Sequence, residues 1–300
     1  MAKKSTALDL ALLLALATLW GASYTLIKIG IVTIPPITFI AARTIIAGGI
    51  LFAILRLRGL KLPSDRATWN RFMLQACINS VIPFTTIAWA EQTVDAGLAT
   101  ILNSTSPIFT FLLTAFLIQH EKVTARKLLG VIAGIIGICL IVGVEALNGI
   151  GRDLWAQLAI VLATVSYAFA AILGRGFKGL DPMMPAAGSL ICGAVILLPL
   201  SLVIDRPWTL APSMESVWAM IGLAVFSTAL AFVIYFRLLA TLGSVGTTAQ
   251  AYLRVPIGVG IAILFLGETP TSTMLAGLVC VIVGVAAMTI SPRGEARRAS

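Results

Sequence analysis

Ten long apolar runs divide the chain, at 8–31, 35–56, 70–91, 96–119, 126–146, 154–174, 183–204, 216–239, 246–266 and 272–290. Each is long enough for a helix across the ~30 Å hydrocarbon core of a bilayer. They predict an all-α membrane protein of ten transmembrane helices with short connections. The two longest connections, Leu57–Trp69 and Asp205–Glu215, are too short to hold a catalytic domain.

Polar residues inside these runs carry the next layer of information. The densest group is Asn103-Ser104-Thr105-Ser106-Pro107, near the middle of the fourth run. A proline inside a helix donates no hydrogen bond and crowds the carbonyl four residues back, here that of Asn103. In hydrocarbon such a carbonyl persists only where protein, water or a ligand satisfies it. The group therefore faces other helices or lines a cavity.

A second copy of the pattern chooses between these. Segments 96–142 and 245–289 each hold a midpoint proline (Pro107, Pro256), then a glutamate past the run (Glu121, Glu268). Nine residues after each glutamate stands a glycine (Gly130, Gly277), and seven further on another (Gly137, Gly284). Five spans per half is odd, so the second half enters the membrane upside down relative to the first. The expected organisation is two inverted five-helix repeats, 1–147 and 148–300. Inverted repeats are the architecture of many secondary transporters, with substrate held near the midplane between the halves.

Polar and aromatic midpoints sort by repeat. Runs one, three and four (Trp20, Ser23, Tyr24; Asn79, Ser80, Pro83; Asn103 to Pro107) match runs six, eight and nine (Thr164, Ser166, Tyr167; Ser227, Thr228; Gln250, Tyr252, Arg254, Pro256). These six are expected to surround a central polar-aromatic cavity. Runs five and ten are aliphatic and glycine-bearing, hence peripheral, and Gly130 and Gly134 permit close helix packing within the monomer or in a dimer. Trp20, Tyr24, Asn79, Asn103, Ser106, Tyr167, Tyr252 and Arg254 are the candidate substrate-binding residues, with Pro107 and Pro256 as candidate hinges. An intramembrane arginine costs roughly 2.5–3.5 kcal/mol on insertion scales and marks a functional site by default. Arg254, beside a midplane proline, fits a carboxylate or phosphate ligand, whereas Arg43 in run two reads as structural. Lys28 reads as snorkelling to the interface, and Glu91 as a proton site, a partner for Lys28 or a surface residue. His120, beside Glu121 in a loop, reads as solvated.

Composition adds location. The chain is 59% hydrophobic and 11% charged, with mean hydropathy +1.03. Sixteen of its 21 Lys and Arg fall in segments on the N-terminal side of the membrane, against Arg152 and Arg206 on the other. Cytoplasmic loops are the basic ones, so both termini are expected in the cytoplasm, in the bacterial inner membrane. The net charge of +9 follows from this asymmetry and implies no nucleic acid. The apolar run after Lys3 and Lys4 continues to Ile31, longer than a cleaved signal's 7–15-residue core. Cys77, Cys139, Cys192 and Cys280 lie far apart inside runs, without metal-ligand spacing or a disulfide framework. No cofactor and no metal are expected.

Trp20-Gly21-x-Ser23 followed by Lys28, Ala42-Arg43, the run-four proline with Glu121, and Tyr235-Phe236 through Pro256 to Gly267-Glu268 resemble the drug/metabolite transporter superfamily, EamA type. The resemblance covers essentially the whole chain. Amino-acid exporters of the bacterial YddG type are similar in length and layout. The resemblance implies ten helices in a basket, alternating access and metabolite export. Two departures stand out: Gln119-His120-Glu121 where Leu-Gly-Glu is commoner, and Arg254 where an acidic residue is frequent. The expected function is secondary export of amino acids, aromatic or bulky ones included, and related small metabolites. Its alternatives are multidrug or lipophilic-cation efflux and a membrane-embedded lipid-modifying enzyme. The expected partners are the small-molecule substrate and membrane lipids, with the chain a monomer or weak homodimer.

Overall fold

The computed structural model describes residues 2–113, 124–142, 152–177, 179–235, 237–238, 241 and 250–289. Helices occur where the apolar runs predict them: α1 (Ala2–Gly30), α2 (Pro36–Leu57), α3 (Arg66–Ala90), α4 (Ala96–Leu113), α5 (Ala125–Val142), α6 (Arg152–Gly174), α7 (Met183–Asp205), α8 (Met214–Tyr235), α9 (Gln250–Leu266) and α10 (Ser272–Thr289). Seven described spans are long and apolar enough to cross a membrane, and shorter apolar segments lie in α5, α9 and α10. Glu121, His120 and Gln119 lie outside the described residues, as do the side chains of Pro107 and Tyr252.

Packing follows the repeat. If each helix of the first half is matched to the one five later, α1 on α9 corresponds to α6 on α4, α3 on α6 to α8 on α1, and α2 on α8 to α7 on α3. All of these pairs pack together, and α2–α7, α4–α9 and α5–α10 each map onto themselves. The same reciprocity reaches individual atoms. A Cβ placed on Gly137 would stand 2.8 Å from the Gly277 carbonyl oxygen, and one on Gly284 would stand 2.5 Å from that of Gly130. These contacts exchange under the repeat and make α5 and α10 an antiparallel, backbone-to-backbone pair. Small residues allow that approach where lipid gives no hydrophobic drive between helices. The outer faces of the pair, through Leu129, Ile132, Ile136, Val279 and Val283, are exposed, so α5 and α10 are peripheral as expected.

Three spans depart from regular α-helix. The polar midpoint of α3 is a π turn over Cys77–Val81, and that of α8 a π turn over Val225–Leu230. A third, Ser201–Asp205, ends α7. A π turn changes the register of backbone bonding and often sits at functional sites. In α3 the Ile78 carbonyl accepts from the Ser166 hydroxyl of α6 at 2.7 Å; in α8 the Thr228 hydroxyl donates five residues back to the Leu223 carbonyl at 2.9 Å. Asp65 and Ser213 cap α3 and α8, accepting from the amides of Thr68 and Ser216. The Thr68 amide holds the exposed Asp65 carboxyl below its usual range.

The fourth span is broken rather than merely bent. Helix Ala96–Asn103 ends in a turn at Ser104 and Thr105, and a second helix begins at Ser106. Pro107 thus sits in the first turn of a new helix, where a missing amide costs nothing, and not in a helix interior. Pro256, by contrast, lies within an unbroken α9.

Candidate functional site: a buried polar group at the repeat interface

Near the middle of the bundle, polar side chains from several helices meet. The Asn103 amide of α4 donates to the Tyr24 hydroxyl of α1. Tyr24 is 5% exposed and Asn103 likewise 5%, so this bond is made away from water. On α2 the Arg43 guanidinium donates through Nε to the Thr228 hydroxyl, 2.9 Å away, and lies 3.8 Å from the centroid of the Phe84 ring. Phe84 in turn packs against Tyr167 of α6 at 6.5 Å between centroids. Tyr24 and Tyr167 are within electrostatic reach of each other and of both Arg43 and Arg254.

Several buried atoms on the helices around this group have no partner. The Asn103 Oδ1, Arg254 Nε, Gln250 Oε1, Ser80 Oγ and Ser227 Oγ are buried and unbonded. Orphaned buried polar atoms are rare in folded proteins and each needs an explanation. A ligand able to accept from Arg254 and donate to Asn103 would supply one. Neither guanidinium forms an ion pair with a carboxylate among the described residues, although an unpaired buried charge is costly.

The candidate residues do not all join this group. Trp20 packs in a separate cluster, 6.4 Å from Phe232 and 5.6 Å from Tyr235 between ring centroids. Ser106 reaches only the Thr164 carbonyl, at 3.5 Å. Ser104 and Thr105 donate their hydroxyl protons to the carbonyls of Ile101 and Leu102, which leaves them only acceptor lone pairs for a ligand. Asn79 is half-buried in the π turn of α3. Arg43, which the sequence suggests is structural, bonds to Thr228 and lies over Phe84, so α2 adjoins the six helices expected around the centre. Its partners Phe84 and Thr228 are 41 and 185 residues away, and only its position inside an apolar run could have marked it.

A cavity of about 340 Å³ lies between α2 and α3 at the end remote from the N-terminus, lined in part by Pro36, Thr85, Trp89 and Asp205. Neither Arg43 nor Arg254 lines it.

At that remote end, one contact ties the halves and another fixes the loop after α3. The Glu268 carboxylate accepts from the backbone amides of Ala96 and Gly97, at 2.7 and 2.8 Å, occupying the N-terminus of α4. Helix N-termini leave free amides and a positive dipole end, which a carboxylate satisfies. Lys28 donates to the carbonyls of Glu91 and Val94, both at 2.7 Å, so it binds the loop backbone rather than snorkelling outward. Glu91 is fully buried, not at the surface, and both its carboxylate oxygens lack a partner.

A duplicated, all-helical membrane fold with buried polar groups where the copies meet defines the class of small-molecule transporters. The sequence profile of the EamA-like transporter family matches residues 8–143 and again 154–290, and the chain belongs to that family. Among similar proteins, the uncharacterised transporter YoaV of Bacillus subtilis is 26% identical over 91% of this chain and 94% of its own. The uncharacterised inner membrane transporter YedA of Escherichia coli is 27% identical over 93% and 89%. A protein of Streptantibioticus cattleyicolor named probable terminal-alkyne amino-acid exporter is 29% identical over 71% and 70%. One protein of known crystal structure superposes over 98% of this chain and 99% of its own with a TM-score of 0.66 at 17% identity, a likeness of fold.

Proposed function

We propose that this EamA-family transporter exports amino acids, aromatic or bulky ones among them, and related small metabolites across the bacterial inner membrane by alternating access. The observation that carries this reading is the pair Arg43 and Arg254, cations with no carboxylate partner among the described residues, near Tyr24 and Tyr167. A substrate carboxylate would pair with Arg254, whose Nε is buried and unbonded. An aromatic side chain would find Tyr167 and Phe84, and the Asn103 Oδ1 would accept from an ammonium. The relative named as an amino-acid exporter supports the same substrate class. Lipophilic-cation efflux fits less well, because the central charges are guanidinium groups that repel a cation.

In this reading the protein binds and moves its substrate without altering it, as a monomer or weak homodimer in lipid. Both termini lie in the cytoplasm, since the basic residues crowd that side. The two halves rock about the central group, with the break before Pro107 and the proline turn at Pro256 absorbing the bend. Counterflow of labelled amino acids into proteoliposomes tests the proposal. Exchange is expected for at least one aromatic or branched amino acid and loss of it in Arg254→Gln. Absence of flux for every amino acid would remove the substrate assignment.

A further inference from the structure

Among the described residues, Asp9 and Glu91 are the buried charged groups that the transport reading does not use, and Glu91 is the more deeply enclosed. It follows α3, is 0% exposed, and neither carboxylate oxygen meets a donor. The charged and titratable groups around it are Lys28 and Tyr24 from α1, Arg43 from α2 and Glu268 from the segment after α9. Lys28 is nearest in role: its ammonium has three donors and gives two to the carbonyls of Glu91 and Val94. Glu268 is committed to the amides of Ala96 and Gly97. Both contacts hold the loop between α3 and α4 shut against the rest of the bundle.

An ionised carboxylate shut in without a hydrogen bond is strongly disfavoured; a neutral carboxyl in the same place costs far less. If Glu91 ionises, it also competes with two backbone carbonyls for Lys28, the cation that pins its own loop. Closure of this end and neutrality of Glu91 therefore favour each other.

We propose that Glu91 is the proton-binding residue of the transport cycle, protonated while the end of the bundle remote from the N-terminus is closed and deprotonated when it opens. On opening, the carboxyl proton passes to water and the carboxylate is hydrated or pairs with Lys28. On closing, one proton is taken up before the loop reseats on Lys28 and Glu268. This rests on the alternating-access reading but not on the identity of the substrate.

The test follows the loop itself. In the full chain with Cys77, Cys139, Cys192 and Cys280 replaced by alanine, Gln92→Cys and Thr271→Cys place spin labels at two exposed positions flanking the clasp. Distances between them are measured in lipid nanodiscs, where both faces see the same buffer and no substrate is needed. The expected result is a short-distance population dominant in acid and giving way to a longer one as pH rises. Glu91→Gln is expected to hold the short distance throughout, and Glu91→Asp, which keeps a titrating group and controls for folding, to retain the transition with a displaced midpoint. A wild-type distance independent of pH would overturn the proposal, as would a Glu91→Gln protein that titrates like wild type. Loss of the transition in Glu268→Gln alone, with Glu91→Gln unaffected, would assign the proton to Glu268 and equally overturn it. Amino-acid counterflow can fail while this titration persists, so the two readings fall separately.

Discussion

The Arg43 guanidinium carbon lies over the Phe84 ring, 3.8 Å from its centroid, while its Nε is anchored to Thr228 on the other half of the molecule. A cation over an aromatic face gains about 2 kcal/mol or more when desolvated, and the planar fork both stacks and bonds. A lysine ammonium, a point charge without the planar fork, cannot hold both contacts at once.

Arg43→Lys is therefore expected to keep the charge and lose the function. Transport efficiency should fall roughly tenfold or more, the equivalent of about 1.4 kcal/mol in transition-state binding. Uptake kinetics in proteoliposomes with the substrate found by counterflow measure it; an unchanged kcat/KM would place Arg43 outside the site.

Tyr24 and Asn103 are coupled by their mutual hydrogen bond. Removing one partner strands the other in a buried site, at a cost of about 1–3 kcal/mol. Tyr24→Phe and Asn103→Leu should each lower thermal stability in detergent, and the double variant should lose less than the two single losses together. Strict additivity would mean that the pair does not act as a unit.

The α5–α10 crossing leaves no room for side chains. A Cβ on Gly284 would meet backbone atoms of Gly130 and Gly134 at 2.5 and 2.8 Å, which cannot turn aside. Gly284→Ala should reduce the yield of folded protein and its melting temperature. Gly49→Ala, where nothing lies within 4 Å, should leave both unchanged. Size-exclusion profiles and melting curves of the two variants give the comparison.

Gly97 makes room for the clasp at the remote end, since a Cβ there would stand 2.9 Å from the Glu268 Oε2. Gly97→Ala should displace the carboxylate and free the N-terminus of α4, exposing its amides to faster hydrogen exchange. Equal exchange at Ala96 and residue 97 in variant and wild type would show that the carboxylate accommodates the methyl.

Much of the scaffold is legible in the chain because it follows from run length and spacing alone. The helices, the duplicated frame and the glycines that meet across α5 and α10 are of this kind. The site is less legible, since its geometry depends on tertiary partners. The polar midpoints of α3 and α8 are visible, but that they form π turns depends on carbonyl partners such as Ser166 for Ile78. Arg43 carries no local mark of Phe84 or Thr228. Trp20 has the same midpoint placement as Tyr24, yet helix rotation points it to Phe232 and Tyr235. The hydroxyls beside Asn103 look alike in sequence, and most bond back to their own helix, the commonest fate of such residues.

Gly21 and Gly258 bring α1 and α9 together with only backbone between them, so that a Cβ on Gly21 would stand 3.0 Å from the Arg254 carbonyl oxygen. Tyr24 is one turn from this crossing, and Arg254 one turn from it on the other helix. A helix that swivels there hardly moves its nearest side chains, while Gly30 at its tip, about 14 Å along the axis, sweeps about 2 Å for every ten degrees or so. In the proposed rocking motion the crossing would serve as a fulcrum, keeping Tyr24 and Arg254 in register while the mouths of the bundle travel.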